Sequence, residues 1–343
     1  MKKADDGKGD ETQAGEGRGG ISRRSVARGF AALAAALTQA GTSWAANAEG
    51  IARQYRPVGL GVDYATRDSV YYDPQYPPIH FPHVFMSQGT PIQSFMWLAS
   101  GAEPRGCVIL SPQRYGGDSL DSLVPALLGA GIHVMRFNPR GMWDSEHQYS
   151  FISALEDLHA AVAYLREDGG RHTVPPGVAA DERLFQIDPD HIAVLGKSGG
   201  GGMLGWIGAA ENPGLNTAIT VSPSELMKAP LPANVQKWFN DLKKSTAGRV
   251  DLVAELNRVT PAEFERLSMR KAAAKLVDKN MLLVGHSSRE YMQSTHEPLV
   301  KAMLDAGAKH FSQAVFQAND YYLTARIALA QLVISWLKEE CGF

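Results

Sequence analysis

The sequence predicts an α/β protein with a mainly parallel central sheet and helices on both faces, and three observations carry that prediction. Runs such as 106–110 (GCVIL) and 281–284 (MLLV) are apolar throughout, as strands buried on both faces are. Between such runs, the stretch 153–166 sets Leu155, Leu158, Val162 and Leu165 three or four residues apart, on one face of a helix. Finally, Ile192-Ala193-Val194-Leu195 leads directly into Gly196-Lys197-Ser198-Gly199-Gly200 and a small-residue segment to Ala210. That order spells strand, sharp turn and helix, with a serine at the apex.

Residues 50–83 are rich in Tyr and Pro and predict no single element. The runs 84–86 and 93–98 flank Gly89-Thr90-Pro91 and predict a hairpin. Next come the strand 106–110, a helical stripe over 120–128 closed by Gly129 and Gly131, and the strand 133–137, which runs into Asn138-Pro139-Arg140-Gly141. The helix 153–166 follows, then a loop over 167–190 containing Gly169, Gly170, Pro175 and Pro176. After the serine turn come a strand at 217–221 and a charged, mostly helical stretch at 225–276, broken by Pro230, Pro232 and Pro261. The strand 281–284, helix 297–306, strand 311–316 and helix 324–338 complete the alternation.

With 343 residues the chain has room for one large domain or two small ones. A net charge of −2 with 44% apolar residues describes an ordinary globular protein and argues against a polyanion-binding surface, so no nucleic-acid partner is expected. The two cysteines, Cys107 in an apolar run and Cys341 in the tail, form neither a disulfide framework nor a metal site. The sequence has no HExxH, no paired CxxC and no internal repeat, so no metal or organic cofactor is implied.

Residues 1–48 predict a leader, and the fold is expected over 49–343. A polar, glycine-rich start runs to Gly20; Ser22-Arg23-Arg24-Ser25-Val26, a mild apolar stretch over 29–37 and Ala46-Asn47-Ala48 follow. These pieces resemble a twin-arginine export signal with an A-x-A cleavage site. The apolar stretch is too short to span a membrane securely. A periplasmic or extracellular mature protein, with no stable membrane span after cleavage near Ala48, is the expectation.

At the serine turn, strained backbone angles and crowding call for glycine before and after Ser198, and the turn aims backbone N–H groups at the space beside its hydroxyl. Gly196-Lys197-Ser198 also ends the phosphate-binding pattern G-x-x-x-x-G-K-[ST], but His191 stands where that pattern needs its first glycine, and 192–195 read as buried strand, not loop. The nucleotide-binding assignment fails on both counts.

In order along residues 84–338, several segments resemble the α/β-hydrolase superfamily, in particular its dienelactone-hydrolase-like and serine-peptidase-like esterases. Arg136-Phe137-Asn138-Pro139-Arg140-Gly141-Met142-Trp143-Asp144-Ser145 is similar to the family's R-F-D-x-R-G-x-G-x-S segment. The serine turn resembles G-H-S-x-G-G, and Arg326 through Leu337 resembles the final helix. The resemblance implies an α/β-hydrolase fold with a small helical insertion at 225–276, and a serine hydrolase acting on a small-molecule acyl substrate.

By that resemblance Ser198 is the nucleophile and the Gly199 N–H one oxyanion donor, with Arg114 or Tyr115 supplying the second from the segment Gln113-Arg114-Tyr115-Gly116-Gly117. Glu290 aligns with the family's acid, and Glu225 is a weaker candidate. The family's base, a histidine before the final helix, falls on Asp320. A serine hydroxyl needs a neighbouring base of near-neutral pKa, which imidazole supplies and an ordinary carboxylate does not.

Three classes remain compatible with these residues. In the first, the roles are exchanged and Ser198, His286 and Asp320 form the triad, since triads are defined by geometry and not by chain order; His296, His80 and His83 are less well placed. In the second, the protein is a weak or inactive member that binds a small molecule. In the third, it is a partner-binding protein that inherited the fold. Oligomeric state is not encoded legibly.

Overall fold

Among the described residues the inner apolar runs become the centre of a nine-stranded sheet in the order β1-β9-β8-β7-β6-β4-β5-β3-β2. The structure is a computed structural model that describes residues 53–54, 65–67, 72–111, 120–142, 145, 147–167, 187–226, 233–245, 251–320 and 322–343, all within the unit Gly50–Phe343. The strands are β1 (Arg53–Gln54), β2 (Ile79–Ser87), β3 (Thr90–Leu98), β4 (Arg105–Leu110), β5 (His133–Phe137), β6 (Ile187–Lys197), β7 (Thr217–Val221), β8 (Asn280–His286) and β9 (Phe311–Phe316). Every pairing is parallel except β2 with β3 and β3 with β5.

Alternation along each inner strand feeds two separate cores, which is why these strands read as unbroken apolar runs. Ile192 and Val194 of β6, Ile109 of β4 and Leu283 of β8 face one core, with the helices Phe151–Glu167, Met203–Glu211 and Glu297–Asp305. Ala193 and Leu195, Val108 and Leu110, and Leu282 and Val284 face the other, with the helices Val124–Gly129 and Arg326–Cys341. Each fully buried Leu, Ile or Val contributes about 1.5–3 kcal/mol, so both faces must be covered for the sheet to persist.

Two local expectations are corrected. The hairpin turns at Gln88-Gly89, both with positive φ (48° and 78°), and Thr90 and Pro91 belong to β3. A two-residue turn of that hand matches the twist of the flanking strands, and the edge position of β2 tolerates Pro82. The stripe 120–128 splits into a tight 3₁₀ turn, Leu120–Leu123, and the helix Val124–Gly129, whose first turn carries Pro125.

The stretch 225–276 is mostly helical where described, with helices Ala233–Ser245, Leu252–Arg258, Pro261–Arg266 and Met269–Ala272. Asp251 caps the second by accepting from the Ala254 N–H at 3.0 Å, and Thr260 with Glu263 forms a reciprocal cap on the third. Leu252, Leu267, Met269 and Leu276 are buried in the same core as the helix Met203–Glu211, so this part of the stretch is structural.

The segment after β5 is locked by charge. Asp157, fully buried, accepts from Ser87 Oγ at 2.6 Å and from the Arg140 backbone N–H and Nε at 2.8 Å, while Arg140 Nη2 reaches Glu156 at 2.7 Å. Burial pushes the Asp157 carboxyl up, against the Ser87 hydroxyl and Arg140 that pull it down. The Arg140-Gly141 of the sequence match is thus an anchor for the chain leaving β5.

Candidate active site

All parallel strands present their carboxyl ends on one side, where ligands bind in open α/β sheets. At the end of β6, Lys197 is extended (φ −127°, ψ 151°) and Ser198 turns into the left-handed region with φ 56° before the wide turn Ser198–Gly202 and the helix Met203–Glu211. A side-chain-bearing residue held there costs about 1–3 kcal/mol, and such strain is concentrated at functional sites. The turn closes only on glycine: a Cβ on Gly196 would collide with the Gly201 carbonyl oxygen, and one on Gly202 would sit 3.0 Å from Pro223 Cα. Ser198 is exposed at the apex, and Gly199 follows it half-buried.

Strand register sets what faces the serine. Lys197 pairs with Val221 and Val221 with Val284, so Ser198, Ser222 and Gly285 extend the three strands at one level, with His286 one residue further. His286 and Ser198 are therefore separated by β7, and neighbouring strands lie about 4.8 Å apart. The imidazole leans over β7: its Nδ1 lies 2.8 Å from Ser222 Oγ, which lies 2.7 Å from the Tyr322 hydroxyl. Tyr291 stacks on the ring with centroids 4.2 Å apart.

Burial is the main cause lowering the His286 pKa; the charge of Asp320 raises it and that of Lys197 lowers it further. Both flanks of the site, β6 and the loop after β9, thus act on this ring. Its Nε2 makes no hydrogen bond to a described residue. No hydrogen bond joins Ser198 Oγ to any described imidazole.

The other candidates separate cleanly. Asp320 is exposed and makes no hydrogen bond to a described residue; Ser222, not Asp320, is the hydrogen-bond partner of His286 Nδ1. Glu290 is exposed on the short turn Arg289–Tyr291, with no hydrogen bond or ion pair to a described residue. Glu225 is occupied, accepting from the Arg270 backbone N–H at 3.0 Å and Nε at 2.8 Å. His296 is buried with Nε2 on Gln313 at 2.9 Å, His83 is buried against Ser94, and His80 stacks on Trp97 in the edge hairpin. Arg114 and Tyr115 lie outside the described residues.

Ser222, Tyr322 and Tyr291 escape sequence reasoning. The available signal was positional: Ser222 follows its strand as Ser198 follows its own. Among the described residues no cluster of three or more His, Cys, Asp or Glu is placed to hold a metal ion.

No protein-family model and no curated protein matches the chain. Among solved structures, the chain is similar to an esterase from Pyrococcus furiosus, with a TM-score of 0.51 and 14% identity over 86% of this chain and 98% of that one. It is also similar to an alpha/beta hydrolase from a Penicillium species (TM-score 0.52, 16% identity, 78% of this chain and 100% of that one). A third is the acylaminoacyl peptidase of Pyrococcus horikoshii (TM-score 0.52, 15% identity, 77% of this chain and 41% of that one). The chain has the α/β-hydrolase fold.

Proposed function

We propose that the protein is an exported serine hydrolase of carboxylic esters or related small acyl substrates, with Ser198 as nucleophile and His286 as base. The observation that carries this is the strained, exposed Ser198 on the carboxyl edge, with the His286 ring drawn over the one strand that separates them. The esterases and the peptidase among the fold neighbours fit acyl chemistry.

Ser198 Oγ bonds to the substrate's carbonyl carbon as its proton passes to His286 Nε2. The bond from that carbon to the leaving oxygen then breaks, and the alcohol departs with the proton. Water adds to the acyl carbon with its proton going to Nε2, and that proton returns to Ser198 as the acid leaves. The Gly199 N–H, with a second donor from Arg114 or Tyr115, holds the oxyanion. Asp320 contributes its charge to the imidazole.

A fluorophosphonate probe should label the parent at Ser198 and leave Ser198→Ala unlabelled. A folded parent that resists the probe overturns the proposal in favour of a ligand-binding member of the fold, the class favoured by the absence of a Ser198–imidazole hydrogen bond. Export rests on Arg23-Arg24, the mild apolar stretch and Ala46-Asn47-Ala48. Arg23→Lys with Arg24→Lys should retain the protein in the cytoplasm, and undiminished export would sink that part. Among the described residues no helix is long and apolar enough to cross a membrane.

A further inference from the structure

We propose that Ser222 and Tyr322 are positioning residues for His286, their two hydroxyls standing where a serine triad usually has a carboxylate and holding the proton of the ring on Nδ1. The proposal rests on the hydrolase assignment for its catalytic meaning, but its geometry stands on its own. Nδ1, Ser222 Oγ and the Tyr322 hydroxyl form a buried chain with steps of 2.8 and 2.7 Å, joining β8, β7 and the loop after β9.

Backbone strain marks the same atoms. Among the described residues five non-glycine residues have positive φ, and three of them are Ser198 (56°), Ser222 (42°) and Tyr322 (55°). Two belong to the hydroxyl chain and the third is the nucleophile itself. Strain of this kind persists only where the surroundings over-determine it, and here it aims each side chain at one imidazole or at the space before it.

The chemistry follows from donor and acceptor roles. A base must present an unprotonated Nε2 to the serine, so the remaining proton must sit on Nδ1 and needs an acceptor. Ser222 Oγ is that acceptor. It can pass its own proton toward the Tyr322 oxygen or accept from the Tyr322 hydroxyl as well, having two lone pairs. Unlike a carboxylate, a hydroxyl adds no negative charge, so it orients the ring without making it strongly basic. The charged and titratable groups around the ring are Lys197 from β6, Asp320 and Tyr322 from the loop after β9, Tyr291 stacked on it, and His296 behind Tyr291. Asp320 is the one carboxylate among them, and it is exposed.

Two measurements on the full chain test this. The first is imidazole NMR of His286, assigned through His286→Gln, in the parent, Ser222→Ala and Tyr322→Phe. The parent should carry its proton on Nδ1. Ser222→Ala should shift population toward the Nε2–H form and lower the pKa, and Tyr322→Phe, the milder change, should do so less. The second is the pH–rate profile on p-nitrophenyl acetate. Ser222→Ala should lower kcat by about 10- to 1000-fold with KM little changed, less than the ~10⁴-fold of losing a carboxylate orienter. Ser222→Thr, which keeps the hydroxyl acceptor, should bring kcat and the acid limb back toward the parent's; a merely structural serine would leave the His286 limb in place in Ser222→Ala.

A proton on Nε2 in the parent, or a His286 that titrates identically in folded Ser222→Ala and Tyr322→Phe, overturns the proposal whatever the activity. A parent with the Nδ1 proton that responds to both substitutions, but whose Ser198 resists the fluorophosphonate, supports the hydroxyl assignment and instead overturns the hydrolase assignment.

Discussion

The indole Nε1 of Trp206 donates to the Met269 carbonyl at 3.0 Å, tying the helix that starts beneath Ser198 to the helical stretch before β8. Trp206 is wholly buried, and so is Met269. The wall behind the serine turn is therefore built from two segments 63 residues apart. Trp206→Phe should keep most of the apolar contact but leave a buried carbonyl without its donor, at a cost of about 1–3 kcal/mol. A urea midpoint equal to the parent's would show that the bond contributes nothing. Excision of 251–276 should go further and prevent folding, because Leu252, Leu267 and Leu276 leave the core with it; a cooperative melt from the excised protein would contradict this.

Gly196→Ala probes the turn itself. Its Cβ would meet the Gly201 carbonyl oxygen, a backbone atom that cannot swing aside. Overpacking of this kind costs about 1–3 kcal/mol, and the displaced turn should also slow labelling of Ser198. Unchanged thermal stability with unchanged labelling would mean that the turn relaxes freely.

Two buried histidines outside the Ser198–His286 pair lower stability as the pH falls. Burial lowers His83 and His296 to about 4 from an ordinary value of 6.5. The unfolded chain therefore binds more protons than the folded one between those values. The stabilisation is fully present above pH 6.5 and is lost as pH falls toward 4, up to about 3 kcal/mol per ring. Urea midpoints measured between pH 7 and 4.5 should fall accordingly, and His296→Gln should flatten that decline by about half. A slope that His296→Gln leaves unaltered would show that the ring does not stay neutral in the fold.

The inner strands were legible because they are covered on both faces. The bounds of 133–137, 217–221 and 311–316 coincide with β5, β7 and β9. The edge hairpin was less legible: Pro82 and Pro91 interrupt the alternation, and the turn moved to Gln88-Gly89. Ser198 was readable because its turn imposes glycines locally. The Ser222–Tyr322 contact was not, because it joins residues 100 positions apart and depends on β7 lying beside β8. By its place before the final helix Asp320 falls on the family's histidine, and it partners His286 only in the exchanged triad, one of the arrangements the sequence allows. The geometry gives Nδ1 to Ser222 and leaves Asp320 a purely electrostatic influence.

That influence has a definite sign. Asp320 raises the His286 pKa through its charge alone, so Asp320→Asn should lower it and move the acid limb of kcat/KM to lower pH. The shift should be small, because an exposed carboxylate acts through water and salt, and it should shrink as ionic strength rises. The rate on the alkaline plateau should stay near the parent's, since the orientation of the ring does not depend on Asp320. Asp320→His separates the two possible seats of the base. With His286 as base, the added imidazole should give no gain, and His286→Ala should abolish turnover whether residue 320 is Asp or His. Should Asp320→His instead restore turnover to His286→Ala, the loop before the final helix is the seat of the base, and His286 is a structural neighbour of Ser222. A large loss of plateau rate in Asp320→Asn, with the acid limb unmoved, would show that the carboxylate orients the ring directly, against the hydroxyl chain proposed for that task.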